Sequence, residues 1–133
     1  MQVEVNGARL WFDVDGPALV PDGPRMRERP TVVLLHGGPG SFDHSYFKPD
    51  FARLSRVAQV VYLDLRGHGR SQWDDPASWG FEQCADDVRG FCDAVGIARL
   101  ACMIEARRYI GVKKRTANSL PVSRAAGYCT SEM

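Results

Sequence analysis

Two short runs of almost entirely apolar residues dominate the hydrophobic pattern of the chain. The first is Thr31–Leu35 (TVVLL), and the second is the VVYL stretch within residues 59–63. Apolar runs of this length without polar alternation are typical of strands buried on both faces of a parallel sheet. Glycine-rich turns follow both runs, at residues 37–40 and 67–69. The pattern therefore predicts an α/β fold with a parallel sheet covered by helices.

The periodicity on either side of these runs predicts a hairpin and two helices. Asn6-Gly7 between two alternating stretches, residues 3–5 and 8–14, is a strong signal for a β-hairpin with one buried face. A short helix is predicted over residues 51–56, with Phe51 and Leu54 on its apolar side. Residues 16–30 and 72–80 are predicted to be loops.

The second helix is predicted over residues 81–95 and ends at Gly96, a residue favoured at helix C-termini. Its apolar positions recur at helical spacing: Phe81, Cys84, Ala85, Val88, Phe91, Cys92 and Val95.

Length and charge divide the chain near residue 100. The 133 residues allow one domain at most. Residues 1–100 hold 11 basic and 14 acidic residues, a net charge of −3, whereas residues 101–133 hold 6 and 2, a net charge of +4. We interpret residues 1–100 as the folded part and 101–133 as a basic tail with little order. The tail is either a nucleic-acid or partner-binding arm or, as we favour, a fused or out-of-frame segment without selected structure.

Composition narrows the classes of protein. The sequence contains no apolar run of membrane-spanning length and no apolar signal core at its N-terminus, so a cytoplasmic protein is expected. The four cysteines show no CxxC spacing and are expected to be reduced and structural. No cofactor and no metal site are expected, because the three histidines do not combine at a recognisable ligand spacing.

The segment His36-Gly37-Gly38-Pro39-Gly40 directly follows the first buried run. Glycines at the carboxyl end of a parallel strand expose backbone N–H groups, which can stabilise an oxyanion while a carbonyl is attacked. Gly38 N–H is the candidate donor, and Pro39 would stiffen the turn, with a preceding cis bond as one option. The alternative is a plain strand-to-helix turn. For His36, we favour a ring that orders the glycine loop by hydrogen bonding over a base or metal ligand.

A second motif, Asp64-x-Arg66-Gly67-x-Gly69-x-Ser71, ends the second run. Asp64 and Arg66 are expected to pair and fix the turn, in which the glycines permit positive φ. Ser71 is rejected as a nucleophile because it has no glycine two residues later and no evident base. The stretch is also too short for a Walker-type phosphate loop and lacks its lysine.

No nucleophile turn of the form G-x-S-x-G is present in the sequence. The nearest pattern, residues 90–94 around Cys92, lies within the predicted second helix, where a cysteine is expected to be buried. No histidine follows His68, so a Ser…Asp…His order cannot be completed.

Taken together, HGGPG after one buried strand, DLRGHGRS after the next and the helix WGFEQCADDVRGFCDAVGI resemble the N-terminal part of an α/β-hydrolase, most closely the proline iminopeptidase-like group. The resemblance covers about residues 1–100. It implies a partial α/β-hydrolase fold and a Ser-His-Asp hydrolase lineage acting on small peptide, amide or ester substrates. It also implies that Gly37 and Gly38 lie in the oxyanion loop.

Because the nucleophile, the triad Asp and His and the substrate-recognising cap are absent from these 133 residues, we expect a truncated hydrolase-like chain that is inactive alone. The alternative is a non-catalytic binding or regulatory module that pairs with a homologous hydrolase. A sheet patterned for further strands would expose an apolar edge, so self-association is also expected. Neither nucleic acid nor membrane is expected as a partner.

Overall fold

The computed structural model describes residues 1–37 and 43–104, and for Met103 and Ile104 it describes the backbone alone. Seven strands are assigned in this part: β1 (Gln2–Val5), β2 (Ala8–Asp15), β3 (Leu19–Asp22), β4 (Arg25–Glu28), β5 (Thr31–Leu35), β6 (Gln59–Asp64) and β7 (Leu100–Ile104). The helices are α1 (Lys48–Phe51) and α2 (Phe81–Val95), with short 3₁₀ helices at His44–Tyr46, Ala52–Arg56 and Pro76–Ser78.

Five strands form one mixed sheet in the order β1-β2-β6-β5-β7. Both predicted buried runs are strands of its parallel half, where Val33 of β5 pairs with Val61 of β6 and with Cys102 of β7. The N-terminal hairpin joins through β2, which runs antiparallel to β6 with Trp11 opposite Asp64. The prediction of a hairpin plus an incomplete parallel sheet with flanking helices is confirmed.

Alternate side chains of the parallel strands point to two separate cores. Val33 and Leu35 pack on the face covered by α2, in a cluster with Phe91, Cys92 and Leu10. The opposite face holds a smaller cluster covered by the helical segment between β5 and β6, in which Phe51 and Leu54 are half-buried, as predicted. The buried members of this second cluster are Leu34, Phe47, Val60 and Tyr62. Coverage of both faces explains why these strands lack polar alternation.

Two sequence predictions are wrong in detail. Residues 16–30 are not simply a loop, because β3 and β4 pair antiparallel around the Asp22–Arg25 turn. Charged and turn residues concealed this hairpin, whose strands form a sheet of their own. The predicted apolar face of α2 is also too long: Phe81 is 96% exposed. The helix contacts the core through its later turns, with Val88 and Val95 against the buried cluster.

The predicted limits of other elements fare better. Helix α2 ends at Gly96 in the left-handed conformation, as its sequence indicates. Strand β7 continues to Ile104, four residues beyond the predicted end of the folded part. The division of the chain near residue 100 stays a prediction, and residues 105–133 lie outside the described residues. No helix within the described residues has the length and apolarity that a membrane crossing requires.

Gly90 explains how closely α2 approaches the hairpin. A Cβ atom at this position would lie 2.6 Å from Cγ1 of Val5. A glycine within a helix costs about 1 kcal/mol relative to alanine. The close contact between helix and hairpin therefore requires a residue that weakens the helix itself.

This contact yields a testable double-mutant cycle. We expect Gly90→Ala to lower the free energy of unfolding by about 1 kcal/mol despite the better helix propensity, because the methyl group displaces Val5. In a Val5→Ala background the same change is expected to be neutral or stabilising by up to about 1 kcal/mol. Urea denaturation of the four proteins measures the coupling, with exposed Ala85→Gly as the control. An equal cost of Gly90→Ala in both backgrounds would contradict the explanation.

Candidate functional site

The predicted motifs meet at the carboxyl ends of β5 and β6. Because the two strands are parallel and Leu35 pairs with Leu63, the residues that follow them, His36 and Asp64, lie at the same edge of the sheet. Gly37 is half-buried there. The remaining predicted loop residues Gly38, Pro39 and Gly40, together with the bond before Pro39, lie outside the described residues. The oxyanion role of Gly37 and Gly38 stays a prediction.

His36 is 3% exposed and joins the two strand ends. Its Nε2 atom accepts a hydrogen bond from Leu65 N–H at 3.0 Å, so the proton of the neutral ring is on Nδ1. That buried Nδ1 has no hydrogen-bond partner among the described residues. Burial and the neighbouring His68 ring, at 4.4 Å between centroids, lower the pKa of His36 to about 4. The observed bond joins the ring to the end of β6, whereas a bond to the glycine loop was expected.

Asp64 is fully buried and connects two loops. Its Oδ1 accepts hydrogen bonds from His44 N–H at 2.8 Å and from His44 Nδ1 at 2.9 Å. Its Oδ2 accepts from Arg70 N–H at 3.2 Å. Gly69 has φ +49° and packs so tightly that a Cβ atom would lie 2.4 Å from Asp64 Oδ2. The carboxylate is thus enclosed by the turn that carries Gly69 and by the segment that begins at His44.

The expected pairing of Asp64 with Arg66 is wrong. Arg66 instead forms a two-bond contact with buried Asp87 of α2, from Nε at 2.5 Å and from Nη2 at 2.8 Å. Its Nη1 also reaches Asp74 at 3.3 Å. The chain leaves the strand after Asp64, and Gly67 has φ +70°, so strand alternation no longer places residues 64 and 66 on one side. Arg66 therefore attaches the turn to α2 on one face of the sheet, while Asp64 serves the other.

The hydroxyl of Ser71 is occupied by structural hydrogen bonds. Ser71 is 3% exposed, its Oγ donates to the Asp64 carbonyl at 2.6 Å, and the same oxygen accepts from Trp11 N–H at 2.8 Å. Gly67 packs against the Trp79 ring, to which a Cβ atom would approach within 2.2 Å. The second motif consequently builds a rigid turn between the hairpin and α2. Within the described residues, no group of three or more His, Cys, Asp and Glu side chains could hold a metal ion.

His44 is the site residue that sequence reasoning missed. It was considered only as a metal ligand, and its distance along the chain from Asp64 follows no recognised motif spacing. The signal that could have found it is indirect: a buried aspartate at a strand end requires donors, and His44 follows the glycine segment that leaves the neighbouring strand.

Comparison with known proteins extends these observations. Residues 30–104 match the family model described as alpha/beta hydrolase fold. The chain is 35% identical over 88 residues to the proline iminopeptidase PfmaB of Pestalotiopsis fici, which covers 66% of this chain and 27% of that protein. It is 36% identical over 77 residues to a putative carbamate hydrolase RutD of Pantoea ananatis, covering 58% and 27% of the two proteins.

Solved structures agree on the architecture. The enol-lactonase of Burkholderia xenovorans LB400 superposes with a TM-score of 0.64 at 31% identity, covering 78% of this chain and 36% of that structure. This chain therefore spans about a third of the enol-lactonase and about a quarter of the two curated relatives.

The lowered pKa of His36 predicts a pH dependence of folding. Because the folded state holds the ring neutral down to about pH 4, while the unfolded chain takes up a proton near pH 6.5, the stabilisation is complete above pH 6.5. It is lost as the pH falls from about 6.5 to 4, by about 3 kcal/mol at most. Urea denaturation between pH 4 and 7.5 measures the slope.

The matched control is His36→Gln, whose amide oxygen can accept from Leu65 N–H but does not titrate. We expect this variant to flatten the stability profile in that pH window. An unchanged slope in His36→Gln would assign the dependence to other groups.

Proposed function

The chain belongs to the α/β-hydrolase family, and from this premise we propose that it derives from enzymes that hydrolyse peptide, amide or ester bonds by acyl transfer. A prolyl aminopeptidase-like reaction is the specific activity proposed. The observation that carries the proposal is the segment from His36 onward, which begins where β5 ends beside β6. Backbone N–H groups at that place can receive the negative charge of a tetrahedral intermediate. Similarity to a proline iminopeptidase supports the substrate class.

We further propose that the 133-residue polypeptide does not carry out this reaction by itself. The Ser71 hydroxyl is buried and hydrogen-bonded on both sides. The thiol of Cys92 is buried in α2, and burial raises its pKa to about 11, which leaves almost no thiolate at neutral pH. The sequence holds no G-x-S-x-G turn. Without an activated nucleophile, the second oxyanion donor that follows it is missing as well.

The direct test incubates the pure polypeptide with p-nitrophenyl acetate, with proline p-nitroanilide and with a fluorophosphonate probe. We expect no turnover above the buffer rate and no covalent adduct by mass spectrometry, since no described side chain is an activated nucleophile. Ser71→Ala and Cys92→Ala serve as matched variants. An adduct on the wild-type chain that either variant abolishes would contradict the proposal and identify the nucleophile.

A second candidate function is a binding module that associates through β7. Among the described strands, β7 is an edge of the five-stranded sheet, and its sequence LACMI is apolar throughout. The other edge, β1, carries Gln2 and Glu4. An edge strand without charged residues is suited to pair with another chain. The partner proposed is a second copy or a homologous hydrolase. A cytoplasmic location also stays a prediction.

Sedimentation velocity at several concentrations tests this second candidate. We expect concentration-dependent dimers or larger species for the wild type and a monomer for Ala101→Lys, which places a charge on the edge strand. Gln2→Lys on the opposite edge is the matched control and should behave as the wild type. A wild-type chain that sediments as a monomer at all concentrations would contradict association through β7.

A further inference from the structure

Both ends of the glycine segment contact the same two residues at the end of β6. At the near end, His36 accepts a hydrogen bond from Leu65 N–H. At the far end, His44 donates to Asp64. The two contacts are made by consecutive residues of one chain segment, so their spacing is fixed by the backbone itself. The segment between the two histidines is therefore held at both ends by a single short stretch of strand end.

The contact at the far end is unusually constraining. His44 uses its backbone N–H and its ring Nδ1 on one oxygen of Asp64, at 2.8 and 2.9 Å. Two donors from one residue fix both the path of the backbone and the rotation of the ring. The other oxygen of Asp64 is held by Arg70 N–H at 3.2 Å, so the carboxylate is restrained on both sides. The His44 and Asp64 side chains are 9% and 0% exposed, which limits competition from water.

The residue before His44 reinforces this geometry. Asp43 caps the short 3₁₀ helix His44–Tyr46 by accepting a hydrogen bond from Ser45 N–H at 2.8 Å. A helix of three residues has little packing surface of its own. Its position is set by the Asp64 contact and by Phe47, which is buried in the smaller core.

We propose that His44 is a positioning residue that, through Asp64, holds the far end of the glycine segment in place, while His36 holds its near end. The inference rests on the proposed function, in which the segment supplies the oxyanion donor. Donors aimed in advance at a developing charge need no rearrangement during the reaction. A side chain that only filled the same volume would not orient the segment.

The test measures backbone order by ¹⁵N relaxation on the 133-residue protein. We expect order parameters of the observable amides in residues 37–45 to be near the rigid value of about 0.85 in the wild type and below about 0.6 in His44→Ala. His44→Asn places an amide N–H near the position of imidazole Nδ1 and should restore the wild-type values. Val88→Ala, in the other core, lowers stability without touching Asp64 and should leave the segment ordered.

The outcomes separate positioning from general stability. Loss of order confined to residues 37–45 in His44→Ala, with rescue by His44→Asn, supports the proposal. Equal order in the wild type and His44→Ala overturns it, as does a segment already below about 0.6 in the wild type. Similar disorder in Val88→Ala, or no rescue by His44→Asn, would also overturn it. No turnover is measured, so failure here is distinguishable from failure of the proposed hydrolase lineage, which the probe assay tests.

Discussion

The arrangement of the sheet edge depends on the buried carboxylate of Asp64. It lies at the end of β6, opposite Trp11 of the hairpin, and accepts three hydrogen bonds from N–H groups of His44 and Arg70. A buried carboxylate without such partners would be strongly unfavourable, because the interior does not replace its hydration. The chain segments that supply these donors must therefore converge on one point. The tight packing of Gly69 against the carboxylate follows from the same requirement.

Arg66 performs the corresponding task on the opposite face. Its two-bond contact with Asp87 ties the turn after β6 to α2, and Asn6 of the hairpin contributes both its carbonyl to Arg66 and its side-chain amide to Asp87. Removal of one partner from a buried ion pair leaves an uncompensated charge, so the group acts as a unit. Strand β6 thus ends between two polar clusters, one on each face of the sheet. The turn motif DLRGHGRS is a structural device that serves both clusters.

Local patterns predicted the elements whose signals are local. The apolar runs gave β5 and β6, Asn6-Gly7 gave the first hairpin, and helical spacing gave α2. The partners of buried charges could not be read in this way. Asp64 and Arg66 are two residues apart and looked like a pair, yet their partners His44 and Asp87 are about twenty residues away, and only the folded sheet brings them together. The hairpin of β3 and β4 escaped notice because it contributes no residue to the buried clusters.

The turn between β6 and α2 is also stitched to β2 along its length. Ser71 Oγ accepts from Trp11 N–H, and Gln72 N–H donates to the Arg9 carbonyl at 2.7 Å. The spacing from Asp64 to Gln72 is consequently as rigid as a strand register, and an inserted residue would break contacts with the carboxylate and the hairpin together. The β3–β4 hairpin, exposed along nearly all of its length, can lengthen or shorten freely. Variation in chain length is thus directed away from the edge that carries the chemistry.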